Sequence, residues 1–475
     1  MGVSRGHGRA RHAVRSRISA PPSPGSPLAL ATSAHVLTPS PTLEINELIA
    51  QRRAEGQRVI HLGFGEASFP LHPVLREALA TYATRTSYAP VLGIEPLREA
   101  VAAYLTRTRG FSVGPAQVAV APGSKPLLYA LFQVLAGDVL MPVPSWVSYA
   151  PQAKLAGKRV ILVPSDPADH TRLPVESLRA ATARARHSGL DPRILVVNSP
   201  NNPTGCMFAP EDVEAMTGWA RDNGITIISD EIYSELAHGW RAHVSPAVFY
   251  PEGTIVTGGF SKAFSAGGWR LGYAVLPPGE RGVKLMSAVR ALASEIWSSA
   301  STPVQFAAAR AYAAGEEIDR YVRRSARLHG HVTGRLQADL ARLGVLAARP
   351  SGGFYAYADF TPWRHALSER GVTSGAELSR HLLDEWGIAA LPGVAFGDGP
   401  EHLRLRLATS GLYSGPDEPA SDREAHLWSL LERADTLPVE DPASGEPFDL
   451  PMLDETVATF ARFVESLGAP EATGE

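Results

Sequence analysis

Ile255-Val-Thr-Gly-Gly-Phe-Ser261-Lys262-Ala-Phe-Ser-Ala-Gly-Gly268-Trp-Arg270-Leu-Gly-Tyr273 decides how this chain is read. A short β-branched run gives way to two glycines, then Ser261 and Lys262, then more glycines and Arg270. A lysine at the end of a buried strand loses its proton more easily than one in water, because desolvation disfavours the charged amine. A neutral amine can attack a carbonyl. Paired glycines let the backbone close on a ligand, and Arg270 supplies a planar cation suited to a phosphate. The stretch predicts a Schiff-base lysine that holds a phosphorylated aldehyde.

The rest of the chain sets limits on that reading. With 475 residues, 44% of them hydrophobic, it can bury a substantial core and is expected to form two domains or more. Lys+Arg 45 against Asp+Glu 48 leaves a formal charge of -3, which offers no electrostatic argument for nucleic acid or an anionic membrane. Cys206 is the single cysteine, so an internal disulfide and a cysteine-based metal cluster are both excluded, and a reducing, cytoplasmic setting is expected. The longest apolar segment, Leu127 to Gly137, is shorter than the ~18 residues a membrane helix needs. Residues 1–33 carry Arg5, Arg9, Arg11, Arg15 and Arg17, then Pro21, Pro22, Pro24 and Pro27, with no acidic residue before Glu44. Without a clear amphipathic helix or a secretory apolar region, this reads as a disordered tail or an over-long gene start.

Downstream, Glu44 to Glu55 reads as a helix and Val59 to Leu62 as a strand leading into Gly63-Phe-Gly65-Glu66. Leu97, Val101 and Leu105 mark an amphipathic helix after Pro96. Short β-rich runs at Val118 to Ala121, Val139 to Pro142, Arg159 to Val163, Arg193 to Asn198, Ile225 to Ser229 and Thr254 to Thr257 alternate with helical segments. That alternation predicts an α/β fold with a mainly parallel sheet between helices, and ligands in such sheets gather beyond the carboxyl ends of the strands. After Tyr273 long helices follow, one marked by Leu328, Val332, Leu336 and Leu340, another by Leu378, Leu382 and Trp386. Short strands are expected at Gly353 to Tyr357, Ile388 to Leu391 and Leu403 to Leu407. Together they predict a smaller α+β domain formed from the N-terminal and C-terminal segments. The expected division is a tail over 1–33, small-domain residues 34–75, a large cofactor-binding domain over 76–310 and the rest of the small domain over 311–475. Helices are expected at Asp422 to Ala434 and Leu453 to Leu467, with a Pro-rich loop at Pro438 to Pro451 between them.

The residues with chemical interest stand at the predicted strand ends. Gly123, Ser124 and Lys125 open a helix whose free N–H groups form an anion site, although such junctions are also common connectors. Trp146 follows the Val139 strand, where an indole either packs in the core or stacks on a flat ring. Asn198-Ser-Pro-Asn-Asn202-Pro-Thr-Gly205 is a turn or, in the sharper reading, presents the Asn202 amide to a ligand through a cis Asn202–Pro203 bond. Asp230 either caps a helix or holds a proton on a ring nitrogen, and Tyr233 is placed to bond a ring oxygen. In His402-Leu-Arg404-Leu-Arg406-Leu both arginines share one face, as a solvated edge or as a grip for a carboxylate.

These motifs, with Pro39-Ser-Pro-Thr42 and Tyr88-Ala-Pro-Val-Leu-Gly93, give the stretch from Leu37 to Ser410 a resemblance to the fold type I, class I/II pyridoxal phosphate aminotransferases. Within them it resembles the bacterial aspartate aminotransferase subgroup. The resemblance implies pyridoxal 5'-phosphate as cofactor, held covalently by Lys262, with Asp230 at the pyridinium, Asn202 and Tyr233 at the ring oxygen, and Trp146 stacked on the ring. It implies a phosphate cup of Gly123, Ser124, Lys125, Ser261 and Arg270. Tyr88 matches a tyrosine that reaches the other subunit's phosphate, which implies a homodimer with shared sites. Gly65 and Arg404 match the contacts to the substrate α-carboxylate, so the resemblance selects Arg404 over Arg406. The implied reaction is ping-pong transfer of an amino group from an L-amino acid to a 2-oxo acid.

Four departures bear on it. Gly259 stands where some relatives place a phosphate-binding serine. Glu66-Ala-Ser-Phe-Pro-Leu-His-Pro73 and Trp297-Ser-Ser-Ala-Ser-Thr-Pro303 differ from the commoner aspartate pattern, and an insertion occupies about 411–451. The substrate side chain is left open among acidic, aromatic, small neutral and basic amino acids. Rival readings are a β-lyase, a cyclase or an amino-acid oxidase on the same fold and, from another class, a cofactor-binding regulator without turnover.

Overall fold

The computed structural model describes residues 39–165, 172–239, 241–415, 418–446 and 448–471. The tail expected over 1–33 lies outside the described residues.

In chain order the strands are β1 (Ile60–His61), β2 (Val118–Ala121), β3 (Asp138–Val143), β4 (Val160–Pro164), β5 (Pro192–Asn198), β6 (Thr226–Asp230), β7 (Thr254–Gly259), β8 (Gly272–Val275), β9 (Tyr355–Asp359), β10 (Ile388–Ala389), β11 (Leu391–Pro392) and β12 (Arg404–Ala408). Seven of them form one sheet in the order β2-β8-β7-β6-β5-β3-β4, in which β8 alone runs against the others. Period-two side-chain alternation explains how both faces of this sheet are covered. Val139, Met141, Ile194 and Val196 pack with Leu127, Leu128 and Leu131 of the helix Ser124–Val134. Leu140, Leu195, Val197 and Ile227 pack the other way, against Leu178 of the helix Val175–His187 and Val213 and Met216 of the helix Pro210–Asp222. This is the mainly parallel sheet between helices that the alternation predicts.

The smaller α+β part is built on the antiparallel sheet β11-β12-β9 and the parallel pair β1-β10. The run expected as one strand at Ile388 to Leu391 is divided into β10 and β11, which pair with different partners. The long helix Glu316–Arg342 turns Leu328, Val332, Leu336 and Leu340 fully into the core. The helix Gly375–Trp386 begins at a reciprocal cap between Ser374 and Glu377 and ends at Gly387, whose φ of 65° suits glycine.

The insertion is a folded appendage. Its helix Ala420–Arg433 buries Leu427, Leu430 and Leu431, and Leu437, Phe448 and Leu450 are buried in the segment leading to the helix Pro451–Leu467. The loop expected at Pro438 to Pro451 contains a short 3-10 turn, Pro442–Ser444, and the Pro442 carbonyl meets His331 Nδ1 at 2.8 Å. Asp435 pairs with Arg324 of the long helix at 2.5 Å.

Candidate active site

Strands β5, β6 and β7 end side by side, and the turns that follow them bring Asn202, Asp230 and Lys262 to one cavity of about 370 Å³. Trp146, after β3, and the start of the helix Ser124–Val134 close it on the large-sheet side. Gly65 and Glu66, after β1, with Tyr355 of β9 and Arg406 of β12, close it from the smaller sheet.

Lys262 Nζ donates to the Gly65 carbonyl at 2.6 Å and sits 5.7 Å and 5.6 Å from the ring centres of Tyr233 and Phe354. Burial pulls its pKa down to about 8; the Glu66 carboxylate opposes the shift, and the Arg406 and Arg270 cations add to it. Asp230 is buried and accepts from Tyr149 Oη at 2.7 Å and from the Ile232 N–H at 3.3 Å. Desolvation pushes its carboxyl up to about 6, with the Tyr149 hydroxyl as the largest opposing influence. A buried carboxylate held in this way fits a protonated ring nitrogen, which would return it to the ionised form.

Tyr233 is also buried, and its hydroxyl lies 2.8 Å from the Tyr355 hydroxyl. Asn202 uses Oδ1 to accept from Arg406 Nη1 at 3.2 Å, which leaves the Nδ2 hydrogens as donors. The cis bond expected before Pro203 stands elsewhere: among the described residues the cis prolines are Pro144 and Pro200.

Ser124, Lys125, Ser261 and Arg270 line the cavity, and the helix starting at Ser124 offers unpaired first-turn N–H groups. Gly123 has φ 95°, and a Cβ there would strike the Arg270 guanidinium, so glycine lets that cation approach the helix start. Arg270 itself adopts φ 52° and bonds the Gly267 carbonyl at 2.8 Å, a left-handed backbone of the kind found at ligand sites. A Cβ on Gly259 would meet the Leu271 carbonyl at 2.8 Å, so that position packs on β8. Lys125 Nζ lies 5.1 Å over the Trp146 ring, and burial, aided by Arg270, lowers its pKa.

Three sequence-predicted residues are not among the cavity walls: Gly123, which stands behind Arg270, and Tyr88 and Arg404. Tyr88 is 93% exposed. Arg404 is the one to correct. It is held by Asp359 at 2.9 Å and Asp398 at 3.2 Å, and these carboxylates consume its charge. Arg406 reaches the cavity instead, bonded to Asn202 and, at 2.5 Å, to the Gly63 carbonyl. It is 1% exposed and has no carboxylate partner among the described residues. A buried guanidinium without a counter-ion, facing a cavity, is a site for a ligand anion.

Three further residues escape sequence reasoning. Tyr149, three residues after Trp146, has no role in the sequence reading, yet it holds Asp230. Asn198, at the end of β5, donates to the Asp230 carbonyl at 2.8 Å and accepts from the Asn202 N–H at 2.8 Å. Tyr355 is one of several aromatics in a predicted strand. Only the strand-end position of Asn198 could have singled it out.

Comparison with known proteins agrees with this arrangement. The family described as Aminotransferase class I and II matches residues 57–411. The chain belongs to that family. It is an aminotransferase of fold type I, similar to bacterial aspartate aminotransferases. The aspartate aminotransferase of Geobacillus stearothermophilus is 34% identical over 384 residues, covering 79% of this chain and 93% of that protein. The aspartate/prephenate aminotransferase of Thermus thermophilus is 33% identical, covering 80% and 94%. Among solved structures, the Thermus thermophilus aspartate aminotransferase with maleate superposes with a TM-score of 0.73 at 31% identity, over 86% of this chain and 98% of that one. Among the described residues, no helix of this aminotransferase is long and apolar enough to cross a membrane.

Proposed function

We propose that this aminotransferase binds pyridoxal 5'-phosphate and moves an amino group from an L-amino acid to a 2-oxo acid in two half-reactions at one site. The observation that carries the reading is the convergence on one cavity of a desolvated lysine amine, a buried carboxylate and a buried guanidinium with no carboxylate partner among the described residues. Ser124, Lys125, Ser261 and Arg270 bind the phosphate. Asp230 would accept from the ring nitrogen, Tyr233 and Asn202 would donate to the ring oxygen, and Trp146 would cover a ring face. When bound, the pyridine ring supplies an electron sink for the negative charge left at the substrate α-carbon.

Lys262 has two tasks. Its amine would hold the cofactor covalently, and as a free base it would take and return the proton at the substrate α-carbon. A pKa of about 8 serves both, because roughly a tenth of the amine is neutral at pH 7, far more than for an ordinary lysine at 10.5. Arg406, in place of Arg404, grips the α-carboxylate with its planar fork beside Gly65 and Asn202. The exposed Tyr88 is assigned to the phosphate of a second subunit, so the working unit is a homodimer with shared sites, in the cytoplasm.

The test is a panel of amino donors against 2-oxoglutarate and pyruvate, with keto acid, ammonia and peroxide all followed. Keto acid formed in step with the acceptor consumed supports transamination. Ammonia or peroxide released without an acceptor would assign the site to a lyase or an oxidase. A protein that stays colourless and inactive with added pyridoxal phosphate would remove the cofactor reading.

A further inference from the structure

Tyr355 has a position that the roles above do not use. It lies on β9, next to β12, which carries Arg406. Its ring faces the Arg406 guanidinium at 4.8 Å, and its hydroxyl is 2.8 Å from that of Tyr233, with both phenols buried. A Cβ on Gly65 would overlap the Tyr355 hydroxyl, so the ring also fixes the loop whose carbonyl bonds Lys262.

We propose that Tyr355 is a positioning residue that ties the Tyr233 hydroxyl to the Arg406 guanidinium, so that a carboxylate bound at Arg406 is felt at Tyr233. The inference rests on the reading of the site given above. A phenol has one proton. If Tyr233 spends its own on the ring oxygen of the cofactor, the proton between the two phenols belongs to Tyr355, and Tyr355 donates to Tyr233. The Arg406 cation over the Tyr355 ring strengthens that donation, and a carboxylate that neutralises Arg406 weakens it. Hydrogen bonds in series polarise one another, so Tyr233 donates more or less strongly to the ring oxygen according to whether Arg406 is occupied.

The experiment follows the visible absorption band of the cofactor-loaded protein as a function of pH, with and without saturating maleate, a carboxylate with no amino group to transfer. Donation from Tyr233 to the ring oxygen competes with the neighbouring imine proton and lowers the midpoint of that titration. Tyr355→Phe is expected to raise the midpoint by ~0.5 unit, the scale of one neutral hydrogen bond. It is also expected to shrink the shift that maleate induces, and to add nothing in a Tyr233→Phe background. A Tyr355→Phe protein with the wild-type midpoint and the wild-type maleate shift overturns the inference, as does a midpoint shift that persists unchanged in the Tyr233→Phe background. In either case wild-type colour and turnover stand, whereas a wild-type protein that forms no visible band overturns the cofactor reading and this inference with it.

Discussion

Arg404 and Arg406 stand two residues apart on one face of β12, and only Arg406 lacks a carboxylate partner among the described residues. The two substitutions therefore separate cleanly. Arg406→Lys keeps the charge but loses the planar fork, and steady-state kinetics should show KM for both amino and oxo acid rising about tenfold to a hundredfold. Arg404→Ala leaves Asp359 and Asp398 facing each other without their cation. It should lower stability by about 2–3 kcal/mol in urea unfolding while KM changes little. The reverse pattern would return the carboxylate contact to Arg404.

In the cofactor-free protein the Lys262 amine titrates near 8, compared with 10.5 for an ordinary lysine. The neutral form is the one that captures an aldehyde. The rate at which added pyridoxal phosphate is captured should rise with pH through about 8 and level off above it. Lys262→Ala should still bind the cofactor without covalent attachment, with turnover lower by ~10³-fold. A capture rate that climbs without a plateau to pH 10 would mean that the amine is not desolvated.

Asp230 carries a cost in the cofactor-free protein. Its carboxyl is raised from 3.8 to about 6, so between those pH values the folded state binds more protons than the unfolded state. Stability from this group is therefore present below pH 3.8 and is lost as pH rises through about 6. Cofactor-free Asp230→Asn should be more stable than wild type at pH 8 by up to ~3 kcal/mol, with the difference closing as pH falls below 6. Its transaminase activity should fall by at least ~10²-fold, since a neutral amide does not favour a protonated ring. Thermal unfolding across pH 5–8 checks the first part and donor turnover the second.

Leu431, on the inserted helix, is fully buried. Leu431→Ala should cost about 2–4 kcal/mol of stability, with KM for both substrates unchanged. Denaturant unfolding beside steady-state kinetics reads both. A neutral effect would show that the appendage packs loosely.

Much of this was legible from pattern alone, because the core of a parallel sheet imposes hydrophobic runs and strand ends put Asp230 and Lys262 where ligands gather. The limits are equally physical. Alternation shows that Arg404 and Arg406 share a face, but which of them meets a cavity depends on Asp359 and Asp398, placed by strand pairing and a distant turn. Tyr149 and Tyr355 look like any buried aromatic until the atom beyond the hydroxyl is known. Turn residues mark where the chain bends after β5, yet the cis bond fell at Pro200 and not at Pro203. In the appendage after Ser410, Pro438 to Pro451 reads as loop because proline and acidic residues dominate its composition, while Phe448 and Leu450 seat it in the core.

The pairing of β1 with β10 also sets an order of events during synthesis. Ile60 and Leu62 donate to the Gly387 and Ala389 carbonyls at 2.8 Å and 2.9 Å, and the Leu62 carbonyl receives the Ala408 N–H at 2.8 Å. The segment that presents Gly65 and Glu66 is thus anchored by residues made more than 300 positions later, a contact of very long range. The large sheet, complete by Val275, can assemble on the ribosome while that segment waits. A translation product truncated before residue 408 would therefore carry Lys262 without the wall that faces it.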